Sequence, residues 1–275
     1  MDHWSGRVAV ITGAGSGLGA ALARNLGRRG CDLALTDVAA DRLKEVADDM
    51  RRLGRTVTCH GFDVSDRAGW ADCVEEVSRT HGGAQVVVNN AGVSWLGDFA
   101  DSVLDDVEWL MRVNLMGVIY GCHAFLPLLR AESRAHLVNI SSILGIIGLP
   151  GNGAYCASKH AVRSLSEVLS MELADTGIQV SWVHPGAVDT RIVADGRSGD
   201  DDERRGNAIS MLAGGLTPER AAEIVVRGLE RGRSRILVGA DAQWISRLHE
   251  FLPVSYRWFV KGHRSPTASG KRRSA

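Results

Sequence analysis

The chain has 275 residues, of which 45% are hydrophobic and 23% charged, so it can bury one large core and is not disordered over most of its length. Its 32 basic and 32 acidic residues balance, which argues against nucleic acid as the main partner. No stretch approaches the roughly 20 uninterrupted apolar residues of a bilayer-spanning helix, and the first residues do not resemble a signal peptide, so we expect a cytoplasmic protein.

Short apolar segments alternate with segments of helical period along most of the chain. The predicted strands are Val8–Ile11, Asp32–Asp37, Thr56–Phe62, Gln85–Asn89, His136–Ile140, Ile178–His184 and Arg235–Val238. The predicted helices are Gly19–Arg28, Asp41–Leu53, Trp70–Arg79, Asp106–Arg130, Ala157–Leu173 and Pro218–Arg231. Several strands are apolar without alternation, as strands covered on both faces should be. The pattern predicts one α/β domain over residues 1–240 with a doubly wound, Rossmann-type parallel sheet.

Two segments depart from this alternation. Residues 191–215 combine several glycines with a run of charges, a composition typical of a mobile loop near the substrate. Residues 241–262 form an apolar C-terminal extension, in which a helix is predicted to end at Pro253 before an aromatic cluster. Residues 263–275 are predicted to be a flexible basic tail.

A glycine-rich turn follows the first strand and leads directly into a helix. Its sequence is Thr12-Gly13-Ala14-Gly15-Ser16-Gly17-Leu18-Gly19. Such a turn lets backbone N–H groups and a helix N-terminus approach a pyrophosphate, whose negative charge the helix dipole stabilises. The predicted dinucleotide contacts are those of Gly13, Ser16, Gly17, Leu18 and Gly19. The glycines also fit a purely structural turn, and a second frame, Gly15-x-Gly17-x-x-Ala20, leaves their individual roles open.

Acidic residues end the second and third predicted strands. Asp37 lies eighteen residues beyond Gly19, close to the spacing of about 20 at which a carboxylate meets the adenosine ribose. A carboxylate there repels a 2′-phosphate, and no Lys or Arg stands in the turn or directly after Asp37, so we expect NAD rather than NADP. Asp63, which precedes Val64, either caps a turn or contacts the adenine.

Tyr155 and Lys159 are four residues apart at the start of a helical segment, so both side chains project from one face. A free phenol has a pKa near 10, too high for efficient proton exchange at neutral pH. An ammonium about 4 Å away lowers that pKa by about 3 at an effective dielectric constant of about 20. We therefore expect Tyr155 to titrate near neutrality. Ser142 offers a hydroxyl that holds the substrate oxygen beside the phenol while hydride leaves carbon.

Taken together, these residues resemble the short-chain dehydrogenase/reductase family from Gly6 to about Val238. The matching motifs are the turn at Thr12, Asn89-Asn90-Ala91-Gly92, Val113-Asn114-Leu115, Ser142 with Tyr155-x-x-x-Lys159, and Pro185-Gly186-Ala187-Val188-Asp189-Thr190. The resemblance implies a seven-stranded parallel sheet, a nicotinamide cofactor and a homo-oligomer. It also implies an Asn-Ser-Tyr-Lys tetrad that interconverts an alcohol and a carbonyl.

The resemblance assigns roles to further residues. Asn114 would kink its helix and hold a water that links Lys159 to solvent. The residues implied beneath the adenosine ribose are Asn90, Ala91 and Gly92. Those implied around the nicotinamide carboxamide are Pro185, Gly186, Val188 and Thr190. Because the five cysteines are scattered without a CxxC pair, neither a disulfide framework nor a metal site is predicted.

Apolar residues near the predicted hydride site suggest a pocket for a lipophilic secondary alcohol or ketone, although most of them also suit a packed core. Besides Ser142, the pocket residues are Trp95, Ile143, Leu144, Ile146, Ile147, Leu149, Ile192, Met211 and Leu212. The extension either packs on the protein or a partner subunit, which is favoured, or makes peripheral contact with a membrane. Two alternative functions stay open: a nicotinamide-binding sensor without turnover, and a sugar-nucleotide epimerase or dehydratase, whose relatives share Tyr-x-x-x-Lys.

Overall fold

The computed structural model describes residues 3–199 and 202–261. Its strands are β1 (Val8–Thr12), β2 (Asp32–Thr36), β3 (Val57–His60), β4 (Val86–Asn89), β5 (Trp95–Leu96), β6 (Ala135–Ile140), β7 (Ile178–Pro185), β8 (Arg197–Ser198) and β9 (Arg235–Val238). Seven of them form a parallel sheet in the order β3-β2-β1-β4-β6-β7-β9. The predicted seven-stranded, doubly wound sheet is therefore confirmed, and the strand ends differ from the predicted ones by at most two residues.

Helices cover both faces of the sheet. They are α1 (Gly17–Arg28), α2 (Ala40–Arg52), α3 (Arg67–His81), α4 (Leu104–Met111), α5 (Gly117–Arg130), α6 (Gly153–Glu172), α7 (Asp202–Ala213), α8 (Pro218–Glu230), α9 (Ala240–Phe251) and α10 (Tyr256–Lys261). Apolar residues of α1, α2 and α8 form one core cluster with the strands, and those of α3, α5 and α6 form a second. This two-sided cover explains why β1 is buried at every position.

The strand order reverses between β1 and β4, because the chain first builds outward through β2 and β3 and then returns. In open parallel sheets a ligand crevice lies at this point, outside the carboxyl ends of the strands. The turn after β1 and the turn after β4 are therefore neighbours at one edge of the sheet. The fold brings the predicted site residues to this edge from most of the chain.

One turn of π-helix, Arg112–Met116, joins α4 to α5 and makes a continuous helical stretch over Leu104–Arg130. Among the described residues this stretch alone is long and apolar enough to cross a membrane. Five of its apolar residues, however, are buried in the core against the sheet: Val113, Val118, Cys122, Phe125 and Leu129. We therefore interpret it as a core helix of the domain.

The segment 191–215 differs from the predicted loop, because it contains β8 and α7. No residue of α7 is buried, so the helix has no apolar stripe that the sequence could reveal. Acidic residues at its start, Asp202 and Glu203, suit the positive end of the helix dipole. Arg197 of β8 secures the segment, since its guanidinium pairs with Asp106 and lies 4.0 Å from the centre of a tryptophan ring.

Helix α9 confirms the helical spacing predicted for the extension. Its inner face packs Ala242, Ile245 and Leu248 against the turn that follows β6. Tyr256, at the start of α10, is buried in the same cluster. The predicted tail, residues 263–275, lies outside the described residues.

Candidate active site

A cavity of about 1680 Å³ runs along the carboxyl edge of the sheet, from the glycine-rich turn to α9 and α10. Each of the six strands β1, β2, β3, β4, β6 and β7 contributes the residues directly after its end. The predicted cofactor residues on its wall are Gly13, Ser16, Gly17, Leu18, Asp37, Asp63, Val64, Asn90, Ala91, Gly92, Pro185, Gly186, Val188 and Thr190. Gly19 lies just beneath this wall, in the first turn of α1.

The geometry of the glycine-rich turn fits a bound pyrophosphate. Gly13 and Gly17 have φ angles of +64° and +50°, which favour glycine. A Cβ atom on Gly19 would lie 2.1 Å from the carbonyl oxygen of Gly13, so a side chain there would push the turn apart. The N-cap residue Ser16 makes no side-chain hydrogen bond to the helix, and the first turn of α1 has no acidic residue. The N-terminus of α1 therefore presents N–H groups to a negatively charged ligand.

Thr12 and Asn90 join the turn after β1 to the turn after β4. The Thr12 hydroxyl accepts hydrogen bonds of 3.0 Å from the backbone N–H groups of Asn90 and Ala91. In return, the Asn90 side chain donates to the carbonyl oxygen of Thr12 over 2.8 Å. This network holds the two sides of the crevice together. The sequence identified Thr12 only as the start of a motif, and its role as a hydrogen-bonding bridge was missed.

Asp37 is held at the rim of the cavity by two backbone groups. Its carboxylate oxygens accept hydrogen bonds from the N–H groups of Gly15 and Ala39, over 2.8 and 2.9 Å. Arg42, which the sequence did not identify as a site residue, lies in α2 and lines the same end of the cavity. Its guanidinium pairs with Asp195 over 3.0 Å. A negative charge thus stands at the predicted ribose position, and the nearby arginine is paired with an acid.

Asp63 caps a turn, which is one of its two predicted roles. Its carboxylate accepts a hydrogen bond of 2.8 Å from the backbone N–H of Ser65. Asp63 and Val64 also line the cavity, so the predicted contact with the adenine stays open.

Ser142, Tyr155 and Lys159 lie together on one wall of the cavity. The Ser142 hydroxyl lies near the Tyr155 phenol and lowers its pKa. The Lys159 Nζ atom lies 5.7 Å from the centre of the Tyr155 ring and donates to the carbonyl oxygen of Ile140 over 3.0 Å. The ring Nδ1 of His184 lies 2.7 Å from the carbonyl oxygen of Ser142 and so holds its main chain. The predicted trio is assembled because α6 begins at Gly153, early enough to include Tyr155.

Burial controls the protonation of the two catalytic candidates. It raises the pKa of Tyr155 to about 12, although the nearby Ser142 hydroxyl opposes this effect. It also lowers the pKa of Lys159 to about 8. The expectation that Lys159 alone brings Tyr155 near neutrality is therefore wrong for the protein without a ligand. Desolvation has the largest effect on the pKa of both side chains, and the sequence alone does not give its size.

Asn114 lies in the π-helical turn between α4 and α5, at the position where a kink is predicted. Its side chain exchanges hydrogen bonds of 2.7 and 2.9 Å with the backbone of Val93 and also donates to Ser158. A Cβ atom on Gly92 would lie 3.2 Å from the Asn114 Oδ1 atom and 3.3 Å from the Lys159 Nζ atom. The side chains of Asn114 and Lys159 therefore both lie close to Gly92. The water that would link Lys159 to solvent stays a prediction.

The segment Pro185–Thr190 is secured from the C-terminal extension. The Asp241 carboxylate of α9 accepts a hydrogen bond of 2.7 Å from the N–H of Ala187. A Cβ atom on Gly186 would lie 2.1 Å from the same carboxylate, so glycine is needed for this approach. The Thr190 side chain lies against Gly17 of the glycine-rich turn. The sequence did not identify Asp241, because its partner is 54 positions away.

The other end of the cavity is apolar. The predicted substrate residues found there are Ile143, Leu144, Leu149, Ile192, Met211 and Leu212, with Ile147 beside them. The prediction that Trp95 and Ile146 line the substrate pocket is wrong, because neither side chain lines the cavity. Trp95 packs with Leu110 and Ala154 behind Tyr155, while its strand neighbour Leu96 faces the cavity.

The extension contributes cavity residues that the sequence did not assign to the site. Ile245, Leu248 and Tyr256 line the apolar end. Tyr256 also anchors α10 to the segment that follows β6, because its hydroxyl accepts a hydrogen bond of 3.0 Å from the N–H of Gly148. The helical spacing of the extension was the signal that could have identified these residues.

The described residues include no group of three His, Cys, Asp or Glu side chains placed to hold a metal ion. The cavity instead has a glycine cradle at one end, a serine, tyrosine and lysine in the middle and an apolar wall at the other end. This arrangement fits a nucleotide cofactor beside a small substrate, with a phenol between them for proton transfer.

Comparison with known proteins agrees with this geometry. The family model of the short chain dehydrogenases matches residues 7–201. SadH of Mycobacterium tuberculosis, whose name describes an oxidoreductase, is 36% identical over 264 residues, which cover 94% of this chain and 96% of SadH. The dehydrogenase/reductase SDR family protein 7-like of Anopheles gambiae is 31% identical and covers 94% of this chain and 83% of its own.

Solved structures are similar over nearly the whole chain. A short chain dehydrogenase/reductase from Burkholderia phymatum in complex with NAD has a TM-score of 0.86 and 30% identity, covering 97% of this chain and 98% of its own. A short chain dehydrogenase from Burkholderia cenocepacia in complex with NADP has a TM-score of 0.75 and 29% identity, covering 87% and 99%. Relatives thus bind either nicotinamide cofactor. The chain belongs to the short-chain dehydrogenase/reductase family of oxidoreductases.

Proposed function

We propose that the protein is an NAD-dependent oxidoreductase that interconverts a lipophilic secondary alcohol and its ketone. The observation that carries this proposal is the grouping of Ser142, Tyr155 and Lys159 on one wall of the cavity, between the glycine cradle and the apolar end. A substrate oxygen held by the two hydroxyls would bring its carbon toward the cofactor end of the cavity.

Ser142, Tyr155 and Lys159 have separate roles in the proposed reaction. The Ser142 hydroxyl orients the substrate oxygen, and the Tyr155 phenol exchanges the proton with it: in oxidation the phenolate takes the hydroxyl proton as hydride leaves carbon. Lys159, with a pKa of about 8, is mostly protonated at neutral pH and stabilises the phenolate. Bound NAD supplies the hydride acceptor and a positively charged ring, which favours the phenolate further. Glycine, Thr12 and Asn90 contacts keep the cofactor end of the crevice rigid.

Asp37 supports NAD over NADP. Its carboxylate is fixed at the rim of the cavity by Gly15 and Ala39, where it would accept hydrogen bonds from ribose hydroxyls. A 2′-phosphate at that position would meet a fixed negative charge. Arg42, the nearby cation, is already paired with Asp195 and so offers less positive charge to such a phosphate.

The apolar end of the cavity supports a lipophilic substrate. Leu144, Ile192 and Met211 come from segments after β6 and β7, and Ile245 and Leu248 come from α9. Burying apolar substrate surface against these side chains contributes about 25 cal/mol per Å². A small charged hydroxy acid would gain little of this free energy.

The test is an absorbance assay for reduced nicotinamide with NAD and NADP against alcohols and ketones of graded size. Tyr155→Phe should lose turnover by at least about a hundredfold while cofactor binding, measured by fluorescence, is retained. Tyr120→Phe, at a tyrosine stacked under Arg67 away from the cavity, is the matched control and should keep full activity. Near-full turnover by Tyr155→Phe would contradict the mechanism.

The same assay separates the alternative functions. Stabilisation against heat by NAD, without turnover of any alcohol or ketone in the panel, would favour the sensor. Conversion of a nucleotide sugar without net change in the cofactor would favour the epimerase or dehydratase. Faster turnover of small charged hydroxy acids than of hydrophobic alcohols would contradict the lipophilic substrate.

A further inference from the structure

The outer surface of the C-terminal extension is unusually apolar. Trp244 is 73% exposed, Phe251 82%, Val254 64% and Trp258 80%. We call these four residues the C-terminal aromatic surface. Single exposed apolar residues are normal, but large aromatic side chains concentrated in so short a segment mark an interaction site.

This exposure is not the result of a poorly packed chain end. The opposite face of α9 is docked, since Ala242 and Ser246 are buried and Ser246 is hydrogen-bonded to Arg235. Tyr256 fastens α10 through its hydrogen bond with Gly148. Trp244 and Phe251 are seven residues apart, so they lie on one outward face of a helix whose inner face is fixed.

The sequence of this part of the chain is basic. Both acidic residues of α9 are engaged within the protein: Asp241 with the backbone of Ala187, and Glu250 with Arg235 over 2.8 Å. From Tyr256 to the end of the sequence there are six basic residues and no acidic one, although the whole chain has a formal net charge of zero. The basic residues are Arg257, Lys261, Arg264, Lys271, Arg272 and Arg273.

Two occupants compete for an apolar surface with basic flanks, namely a second copy of the chain and a lipid bilayer. A twofold dimer places the same patch of each subunit against the other, which would bring the two sets of basic residues together. An anionic bilayer has the opposite charge and attracts each Lys or Arg near its surface. Tryptophan is also the side chain that is enriched at the interface between lipid and water.

We propose that the C-terminal aromatic surface binds the interfacial region of a bilayer that contains anionic phospholipids. The inner face of the same two helices carries Ile245, Leu248 and Tyr256, which line the apolar end of the cavity. The bilayer would therefore lie next to the substrate end of the site, and a lipophilic alcohol or ketone would reach the cavity from the membrane. This route for the substrate rests on the proposed function, whereas the binding to lipid does not.

Vesicle co-sedimentation of the full chain tests the binding. We expect binding to vesicles of phosphatidylcholine and phosphatidylglycerol, weaker binding to phosphatidylcholine alone, and a decrease with added salt. The double variant Trp244→Ser, Phe251→Ser should bind at least tenfold more weakly. Met171→Ser is the matched control, because Met171 is 69% exposed on α6, outside the extension, and should bind like the wild type.

Further measurements keep the outcomes distinct. Thermal unfolding and light scattering should show that the double variant keeps its fold and its mass. Arg257→Gln, which changes charge without removing an aromatic side chain, should weaken binding and its salt dependence. Lipids with brominated acyl chains should quench tryptophan fluorescence in the wild type and less in the double variant. The binding proposal is overturned by a wild type that fails to bind anionic vesicles, by an equal loss in Met171→Ser, or by a change in oligomer mass with unchanged vesicle binding.

The substrate route is tested separately with a ketone embedded in vesicles and a short soluble ketone. The double variant should lose kcat/KM for the first and keep it for the second. Equal kcat/KM values of the variant and the wild type with the embedded ketone would overturn the route. An absence of turnover on both ketones, with vesicle binding intact, would instead contradict the proposed function.

Discussion

The substitution Lys159→Met should abolish turnover and yet stabilise the protein. Lys159 is buried, and burial lowers its pKa from 10.5 to about 8. The charged form of Lys159, which the proposed mechanism requires at neutral pH, is therefore an unfavourable state of the folded protein. Its hydrogen bond to the carbonyl oxygen of Ile140 offsets only part of this cost.

The size and sign follow from the two pKa values. A pKa difference of one corresponds to about 1.4 kcal/mol, so the charged amine lowers the free energy of unfolding by about 3 kcal/mol at pH 7. Losing the hydrogen bond costs the variant about 1 kcal/mol, which leaves it more stable by about 2 kcal/mol. Between about pH 8 and pH 10.5 the unfolded chain binds more protons at this lysine than the folded chain, so the wild type gains stability as pH rises.

Urea unfolding of both proteins at pH 7 and pH 10, followed by circular dichroism, measures the effect. The stability advantage of Lys159→Met should shrink by about 2 to 3 kcal/mol between the two pH values. Lys44→Met, at an exposed lysine paired with Asp48, is the control and should show no such decrease. The same advantage at both pH values would refute the reasoning, because a packing effect alone does not depend on pH.

Three further predictions concern the cofactor and substrate ends of the cavity. Gly19→Ala should weaken cofactor binding at least tenfold in a fluorescence titration, because its Cβ would lie 2.1 Å from a carbonyl oxygen of the turn, whereas Gly61→Ala, with open space around it, should bind normally. Asp37→Ser should lower kcat/KM for NAD about tenfold and raise it for NADP, and an unchanged preference would contradict the role of the carboxylate. Tyr256→Phe removes the hydroxyl that accepts from Gly148 and should cost about 1 kcal/mol in urea unfolding; it should raise KM for bulky ketones more than for small ones, and equal changes would contradict its place in the pocket.

Patterns of short range predicted the sheet and the pair of Tyr155 and Lys159 from the sequence. The apolar runs predicted seven strands, and the glycine-rich turn marked the switch between β1 and α1. The four-residue spacing put Tyr155 and Lys159 on one helix face. These features depend on residues within a few turns of one another, where backbone geometry decides the outcome.

Only the tertiary structure determined the pKa values of the site residues and their long-range contacts. The pKa of Tyr155 is raised chiefly by desolvation, which depends on neighbours from many segments of the chain. The helix α7 was missed because it has no buried stripe, and Asp241 was missed because its partner Ala187 is distant in the chain. The apolar end of the cavity likewise depends on how α9 docks. Spacing along a chain encodes local geometry, whereas desolvation and long-range contacts exist only once the segments are packed together.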